Sequence, residues 1–82
     1  MSNGPLIEQV QATLAEALQV PIEEITPELA LGDLPQWDSM GHMEVMMLLE
    51  QKFDVEINPD TIAALVSVAA ICEHIGQNHS TS

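Results

Sequence analysis

The sequence predicts an all-α fold, a small four-helix bundle of three main helices and one short helix, with a long loop between helices 1 and 2. Of the 82 residues, 46% are hydrophobic but only 2% are aromatic, so aliphatic side chains and methionine must fill one small core. Apolar residues recur three and four positions apart in separate segments, which is the helical spacing. No segment alternates for long enough to predict a strand.

The first helix is predicted to begin at Asn3 or Gly4 and to end at Val20-Pro21. Pro5 is tolerated in the first turn, where its missing N–H would have no helical partner, and Pro21 disfavours a helical Val20. The apolar face of this helix comprises Ile7, Val10, Leu14, Ala17 and Leu18.

Residues 21–37 are predicted to form the long loop. Three prolines and a Gly-Asp pair interrupt regular structure there and leave room for one short turn of helix. Five apolar side chains are expected to attach the loop to the bundle: Ile22, Ile25, Leu29, Leu31 and Leu34. A loop this long is uncommon in so small a domain and is often functional.

The second helix is predicted from Ser39 to Phe53, and residues 54–59 break it. Asp60 is the expected N-cap of a short third helix, which ends at Ala64 or Leu65.

The fourth helix is predicted over Val68 to Ile75, with Ser67 as its N-cap and Gly76 as the residue that stops it. Residues 4–76 therefore form the predicted domain, and residues 77–82 are expected to be a flexible polar tail.

The charge is one-sided, because thirteen acidic residues face a single cation, Lys52, for a formal net charge of −12. Nucleic acids are excluded as ordinary partners, and anionic membrane surfaces are disfavoured, because both require Lys and Arg. The acids keep a small protein soluble, and they also attract basic patches on partner proteins. The two explanations are compatible, and the size of the imbalance favours partner steering.

Location is predicted to be cytoplasmic. No apolar run is long enough to cross a bilayer, and the N-terminus has no basic region followed by an apolar stretch. Cys72 is the only cysteine, so no internal disulfide can form. We also expect the protein to be a monomer.

The second helix carries two apolar stripes. The first, the core stripe, has the larger and stiffer side chains: Val45, Met46, Leu49 and Phe53. The second, the methionine stripe, consists of Met40, Met43 and Met47 on roughly the opposite side. Either the loop covers the methionine stripe, or the stripe is exposed and docks partners. We favour docking, because methionine adapts to several surfaces and the flanking Glu44 and Glu50 can pair with basic residues.

Ser39 stands at the entrance of the second helix. The plainest interpretation is an N-cap, for which Asp38 competes. A catalytic nucleophile is poorly supported, since no histidine is placed to activate Ser39 and no G-x-S-x-G motif surrounds it. A phosphate-linked group is favoured there, because the backbone N–H groups and the helix dipole attract an anion.

Two runs of residues carry a family resemblance, one over residues 37–44 (WDSMGHME) and one over residues 49–57 (LEQKFDVEI). An Asp-Ser pair followed at this spacing by Leu-Glu-x-x-Phe, in an acidic chain of this length, resembles the acyl carrier proteins. The likeness extends to nearly the whole chain, including the long first loop and the short third helix.

The resemblance implies that Ser39 carries a covalent 4′-phosphopantetheine arm, attached by a separate phosphopantetheinyl transferase with help from Asp38. Acyl groups would be held as thioesters on the arm, and the chain would have no catalytic residues of its own. The implied partners are the transferase and loading, ketosynthase or thioesterase-type enzymes with basic docking patches. The methionine stripe with Glu44 resembles the surface that family members use for docking.

Departures from the family pattern leave the pathway open. Met40 replaces the usual leucine, and Gly41 and His42 replace the acid and small polar residue typical of fatty-acid carriers. With Trp37, these residues look more like discrete type II carriers of polyketide or related specialised biosynthesis. The alternatives are a peptidyl or aminoacyl carrier, a primary fatty-acid carrier, and an unmodified helical interaction adaptor.

Other candidate residues have modest predicted roles. His42 is expected to be a partly buried helix residue rather than a proton shuttle, and Cys72 a small core residue. Cys72 and His74 are two positions apart on one helix and point to different faces, so they make a poor metal pair and no metal site is predicted.

Overall fold

The computed structural model describes residues 5–79 and, within them, contains four α-helices and one 3₁₀ turn. The helices are α1 (Leu6–Leu18), α2 (Ser39–Phe53), α3 (Pro59–Ala64) and α4 (Val68–His79), and the 3₁₀ turn spans Ile22–Glu24. The predicted all-α bundle of three main helices and one short helix is confirmed.

The core lies between α1, α2 and α4. Each of these helices buries one apolar stripe, and the most deeply buried members are Val10, Leu14, Leu18, Val45, Met46, Leu49, Val68, Ile71 and Ile75. The core stripe predicted for α2 is therefore confirmed, with Phe53 half-buried at its far end. Because leucine, isoleucine and valine dominate this core, it holds the helices by apolar burial rather than by aromatic stacking.

The ends of α1 differ slightly from the prediction. The expected start at Asn3 or Gly4 lies outside the described residues, and within them Pro5 is the N-cap. The helix stops at Leu18, because Gln19 takes a left-handed conformation with φ of 59° and its N–H donates to the Ala15 carbonyl.

The long loop is attached by both side chains and backbone. Ile25 and Leu29 are buried and Leu34 is half-buried, as predicted. Ile22 and Leu31 are exposed, so that part of the prediction was wrong. Leu31 contributes through its backbone instead: its N–H donates to the Val66 carbonyl at 2.8 Å, beside an isolated bridge of Ala30 with Ser67.

The N-cap of α3 is Asn58, so the prediction of Asp60 was wrong. The Asn58 side chain accepts from the Thr61 N–H at 2.9 Å, and the Thr61 hydroxyl accepts from the Asn58 N–H at 3.0 Å, forming a capping box. Pro59 fills the first helical position, which its fixed φ suits, and this places the cap one residue before it.

Ser67 caps α4 as predicted, since its hydroxyl accepts from the Ala70 N–H at 3.0 Å. Gly76 does not stop the helix, and that prediction was wrong, because α4 continues to His79. Gly76 does not take the positive φ that a glycine C-cap uses, so the helical hydrogen bonding passes through it.

Candidate functional site

Asp38 is the N-cap of α2. Its backbone is extended, and its Oδ1 accepts a hydrogen bond from the Gly41 N–H at 2.9 Å. The competition for the cap between Asp38 and Ser39 is thus decided for Asp38, and Ser39 becomes the first helical residue. The Ser39 hydroxyl is therefore not needed for capping.

Ser39 is exposed, as are its neighbours Asp38 and Met40. At the N-terminus of a 15-residue helix, the first-turn N–H groups and the helix dipole favour a phosphate at this position. Because Ser39 is exposed at the first position of a regular helix, it can accept a long substituent without disturbing the core. The residues present therefore fit a phosphate-linked group on Ser39.

Gly41 allows the loop to press against the first turn of α2. A Cβ at this position would collide with the backbone carbonyl oxygen of Gln36 and would lie 3.1 Å from Leu18 Cδ2. A backbone carbonyl cannot rotate away as a side chain can, so any larger residue would push the loop off the helix. The sequence showed Gly41 only as a departure from a family pattern, and this packing role was missed.

Trp37 and His42 form a buried pair beneath the first turn of α2. Trp37 is fully buried and His42 is only 5% exposed. The indole Nε1–H donates to His42 Nδ1 at 3.1 Å, and His42 Nε2 donates to the Ile62 carbonyl of α3 at 2.9 Å. His42 is thus more buried than predicted, and both of its ring nitrogens are occupied by structural bonds.

The methionine stripe is exposed. Met40 is 81% exposed, Met43 43% and Met47 47%, whereas the adjacent Met46 is fully buried. Glu44 and Glu50 are exposed on the same helix. The alternative in which the loop covers this stripe is therefore wrong, and α2 presents an apolar strip flanked by acids to solvent.

Lys52, the one cation of the chain, lies at the opposite end of α2 from Ser39. Its Nζ is 2.7 Å from Glu16 Oε1 on α1, in an exposed ion pair. At a rise of about 1.5 Å per residue, Lys52 is about 20 Å along the helix from Ser39. The surface around Ser39 therefore keeps its negative character without a nearby Lys or Arg.

Cys72 is half-buried on α4, and desolvation by burial raises the pKa of its thiol. Among residues 5–76, no cluster of three or more His, Cys, Asp or Glu side chains is arranged to hold a metal ion. Over the same residues, no helix combines the length and the apolar character needed to cross a membrane.

A family described as the phosphopantetheine attachment site matches residues 8–75, from the first turn of α1 to Ile75 in α4. The chain belongs to this family of carriers. The predicted family and its phosphopantetheine cofactor are thereby confirmed, and the chain is a carrier and not an enzyme.

Several acyl carrier proteins are similar to this carrier along most of its length. One from Helicobacter pylori strain J99 is 34% identical over 73 residues, which cover 89% of this chain and 94% of that protein. Acyl carrier protein 3 of Ralstonia nicotianae is 32% identical over 75 residues, or 92% of this chain and 86% of that protein. The acyl carrier protein of Thermosynechococcus vestitus is 31% identical over 75 residues, or 92% and 93% of the two chains.

Proposed function

We propose that Ser39 is the attachment residue and that this carrier holds acyl intermediates as thioesters on a 4′-phosphopantetheine arm. The observation that carries the proposal is the exposed Ser39 hydroxyl at the first position of α2, left available because Asp38 makes the cap. When bound, the arm supplies a terminal thiol that forms the thioester with the cargo.

Loading of Ser39 is a phosphoryl transfer catalysed by a separate transferase. The Ser39 oxygen forms a bond to the phosphorus of the pantetheine phosphate in coenzyme A, and the pyrophosphate bond to the nucleotide breaks. The hydroxyl proton leaves to a base of the transferase, and adenosine 3′,5′-bisphosphate departs. Asp38 contributes by fixing the first turn through its bond to the Gly41 N–H, which holds the backbone that carries Ser39 in place.

Partner enzymes dock on the methionine stripe. Its three exposed side chains supply adaptable apolar contact, while Glu44 and Glu50 supply charge for a basic patch. The net charge of −12 extends this attraction beyond the contact surface and raises the encounter rate at low ionic strength. Phosphopantetheinyl transferase, loading enzymes, ketosynthases and thioesterases with basic, apolar patches are the expected partners.

The pathway is polyketide or related specialised biosynthesis in the cytoplasm, with the carrier acting as a separate monomeric protein. Support comes from the Trp37, Gly41 and His42 surroundings of Ser39, which depart from the fatty-acid pattern and are built into the packing of the site. A reducing compartment also keeps the terminal thiol of the arm free for acylation.

Attachment is tested by incubating the protein with coenzyme A, magnesium and a broad-specificity phosphopantetheinyl transferase, followed by intact-mass measurement. We expect the mass to rise by one phosphopantetheine, and Ser39→Ala to abolish the rise. Ser67→Ala is the matched control, because Ser67 also stands at a helix start but serves as a cap. No increase in the wild type, or an increase that persists in Ser39→Ala, contradicts the proposal.

Docking is tested with Met47→Glu and the matched variant Ile22→Glu. The two side chains are exposed to similar extents, 47% and 45%, but Ile22 lies on the 3₁₀ turn rather than on α2. We expect Met47→Glu to raise the KM of the transferase for the carrier and Ile22→Glu to leave it unchanged, with both melting temperatures near wild type. A fall in melting temperature for Met47→Glu alone would show that Met47 supports the fold.

Cargo class is tested by offering the arm-bearing carrier separately to a malonyl transferase and to an aminoacyl-adenylating enzyme. A malonyl mass increase supports the acyl carrier, whereas an aminoacyl increase alone supports the peptidyl carrier alternative. A protein that never gains the arm would be an unmodified adaptor.

A further inference from the structure

A chain of two hydrogen bonds joins the loop, α2 and α3 one helical turn from Ser39. It runs from the Trp37 indole through the His42 imidazole to the Ile62 carbonyl, with donor–acceptor distances of 3.1 and 2.9 Å. The bond between Trp37 and His42 is buried, so water does not compete freely for it, whereas the bond from His42 to Ile62 is partly buried.

The partners fix the state of the His42 ring. An indole N–H can only donate, so Nδ1 must be unprotonated to accept from Trp37. A backbone carbonyl can only accept, so Nε2 must carry the proton that is donated to Ile62. Only the neutral Nε2–H tautomer satisfies both partners at once.

The bond to Ile62 holds a short helix that has little buried surface of its own. Among its six residues none is fully buried, and Ile62 is only half-buried against the core. The carbonyls of the last turn of a helix lack partners within that helix, and His42 supplies one to Ile62. Within residues 5–79, no other side-chain hydrogen bond joins α2 to α3.

We propose that His42 is a positioning residue, a latch that holds α3 against α2 beside Ser39 and sets how readily α3 detaches locally. The same ring accepts a hydrogen bond from Trp37, which lies at the end of the loop two positions before Ser39. His42 therefore connects the end of the loop to α3. The inference rests on the proposed function for its biological meaning. If Ser39 carries the arm, local detachment of α3 changes the shape of the surface that partners and the arm contact next to Ser39.

Three variants separate the latch from simple packing. His42→Gln keeps one acceptor and one donor on its terminal amide, whereas His42→Phe fills the space and can make neither bond. Trp37→Phe removes the donor to Nδ1 and leaves the bond to Ile62. The glutamine variant therefore retains an acceptor for Trp37 and a donor for Ile62 in a side chain without a ring.

Amide hydrogen exchange of the protein without the arm is the first measurement. The Ile62 and Leu65 amides donate within α3, to Asn58 and Thr61, and the Ile71 amide in α4 is the internal reference. We expect His42→Phe to speed exchange at Ile62 and Leu65 roughly fivefold relative to Ile71, and Trp37→Phe to have a smaller effect. His42→Gln should stay within roughly twofold of wild type.

Nitrogen-15 spectra of the His42 ring provide a second measurement that needs no variant to fold. The latch requires an unprotonated Nδ1 and a protonated Nε2, so the opposite tautomer would overturn it. Equal α3 exchange in His42→Gln and His42→Phe would also overturn it, as would a uniform rise across α3 and α4. The intact-mass assay on Ser39 is independent of both readouts, so failure of the latch and failure of the attachment proposal are distinguishable.

Discussion

The Asp38 carboxylate, and not the Ser39 hydroxyl, accepts the hydrogen bond that starts α2, with 2.9 Å between Asp38 Oδ1 and the Gly41 nitrogen. The two adjacent residues therefore have different roles at the start of α2. Asp38 satisfies a backbone N–H of the first turn, and Ser39 remains exposed to solvent. A serine that also served as the cap would lose that hydrogen bond, or strain it, once a phosphate was attached.

Asp38→Ala is expected to lower the free energy of unfolding by about 1 kcal/mol, because the cap bond to the Gly41 N–H is lost. Asp38→Asn retains a capping oxygen and should stay within a few tenths of a kcal/mol of wild type. Urea unfolding followed by circular dichroism measures both. If the transferase also requires the carboxylate charge, Asp38→Asn loses loading rate at unchanged stability. Equal stability of the alanine variant and wild type would show that the cap is not needed.

Gly41→Ala and Gly76→Ala are expected to change stability in opposite directions. At position 41 the added Cβ collides with the Gln36 carbonyl, so the loop must move and the free energy of unfolding should fall by about 1–3 kcal/mol. At position 76 the nearest atom is Leu6 Cδ2, at 3.7 Å, which is ordinary contact. Because Gly76 lies inside α4, alanine should raise the free energy of unfolding there by up to about 1 kcal/mol.

Thermal and urea melts of the two glycine variants provide the comparison. The chemical change is the same at both positions, so effects of alanine on the unfolded chain largely cancel between them. Destabilisation by both substitutions, or stabilisation by both, would contradict the assignment of Gly41 to loop packing.

The bundle and the exposed methionine stripe were predictable from sequence because both follow from helical periodicity. The spacing that placed Val45 and Leu49 inside placed Met43 and Met47 outside, and the structure agrees. The helix caps were less predictable: Asn58 and Asp60 are both good capping residues, and the choice depends on Pro59 occupying the first helical position.

The contacts beneath Ser39 could not be read from periodicity. The bond from Trp37 to His42 depends on how an irregular loop folds back on the helix, and the close approach of Gln36 to Gly41 depends on the same fold. Such loops follow tertiary packing rather than a repeating pattern. The one available signal was local: a tryptophan just before the helix and a glycine in its first turn next to a histidine.

Met46→Ala and Met47→Ala test the division of α2 into a buried and an exposed face. Met46 is fully buried, so its truncation leaves a cavity and should lower the free energy of unfolding by about 2–5 kcal/mol. Met47 is 47% exposed, and its truncation should change the free energy of unfolding by no more than about 0.5 kcal/mol. Urea denaturation distinguishes the two, and similar losses at both positions would contradict the exposed stripe.

The Cys72 thiol should react slowly in the folded carrier, because burial raises its pKa above the ordinary value of 9.0 and the thiolate is the reactive form. Iodoacetamide at neutral pH should therefore alkylate the terminal thiol of the arm before Cys72, as followed by intact mass. In denaturant the two rates should converge, and Cys72→Ala should remove the slow phase only.

The neutral folded thiol of Cys72 contributes stability that is complete below pH 9.0 and is lost as pH rises through the raised pKa. Wild type should accordingly lose stability relative to Cys72→Ala in that alkaline range, and rapid alkylation of folded Cys72 at neutral pH would contradict its burial.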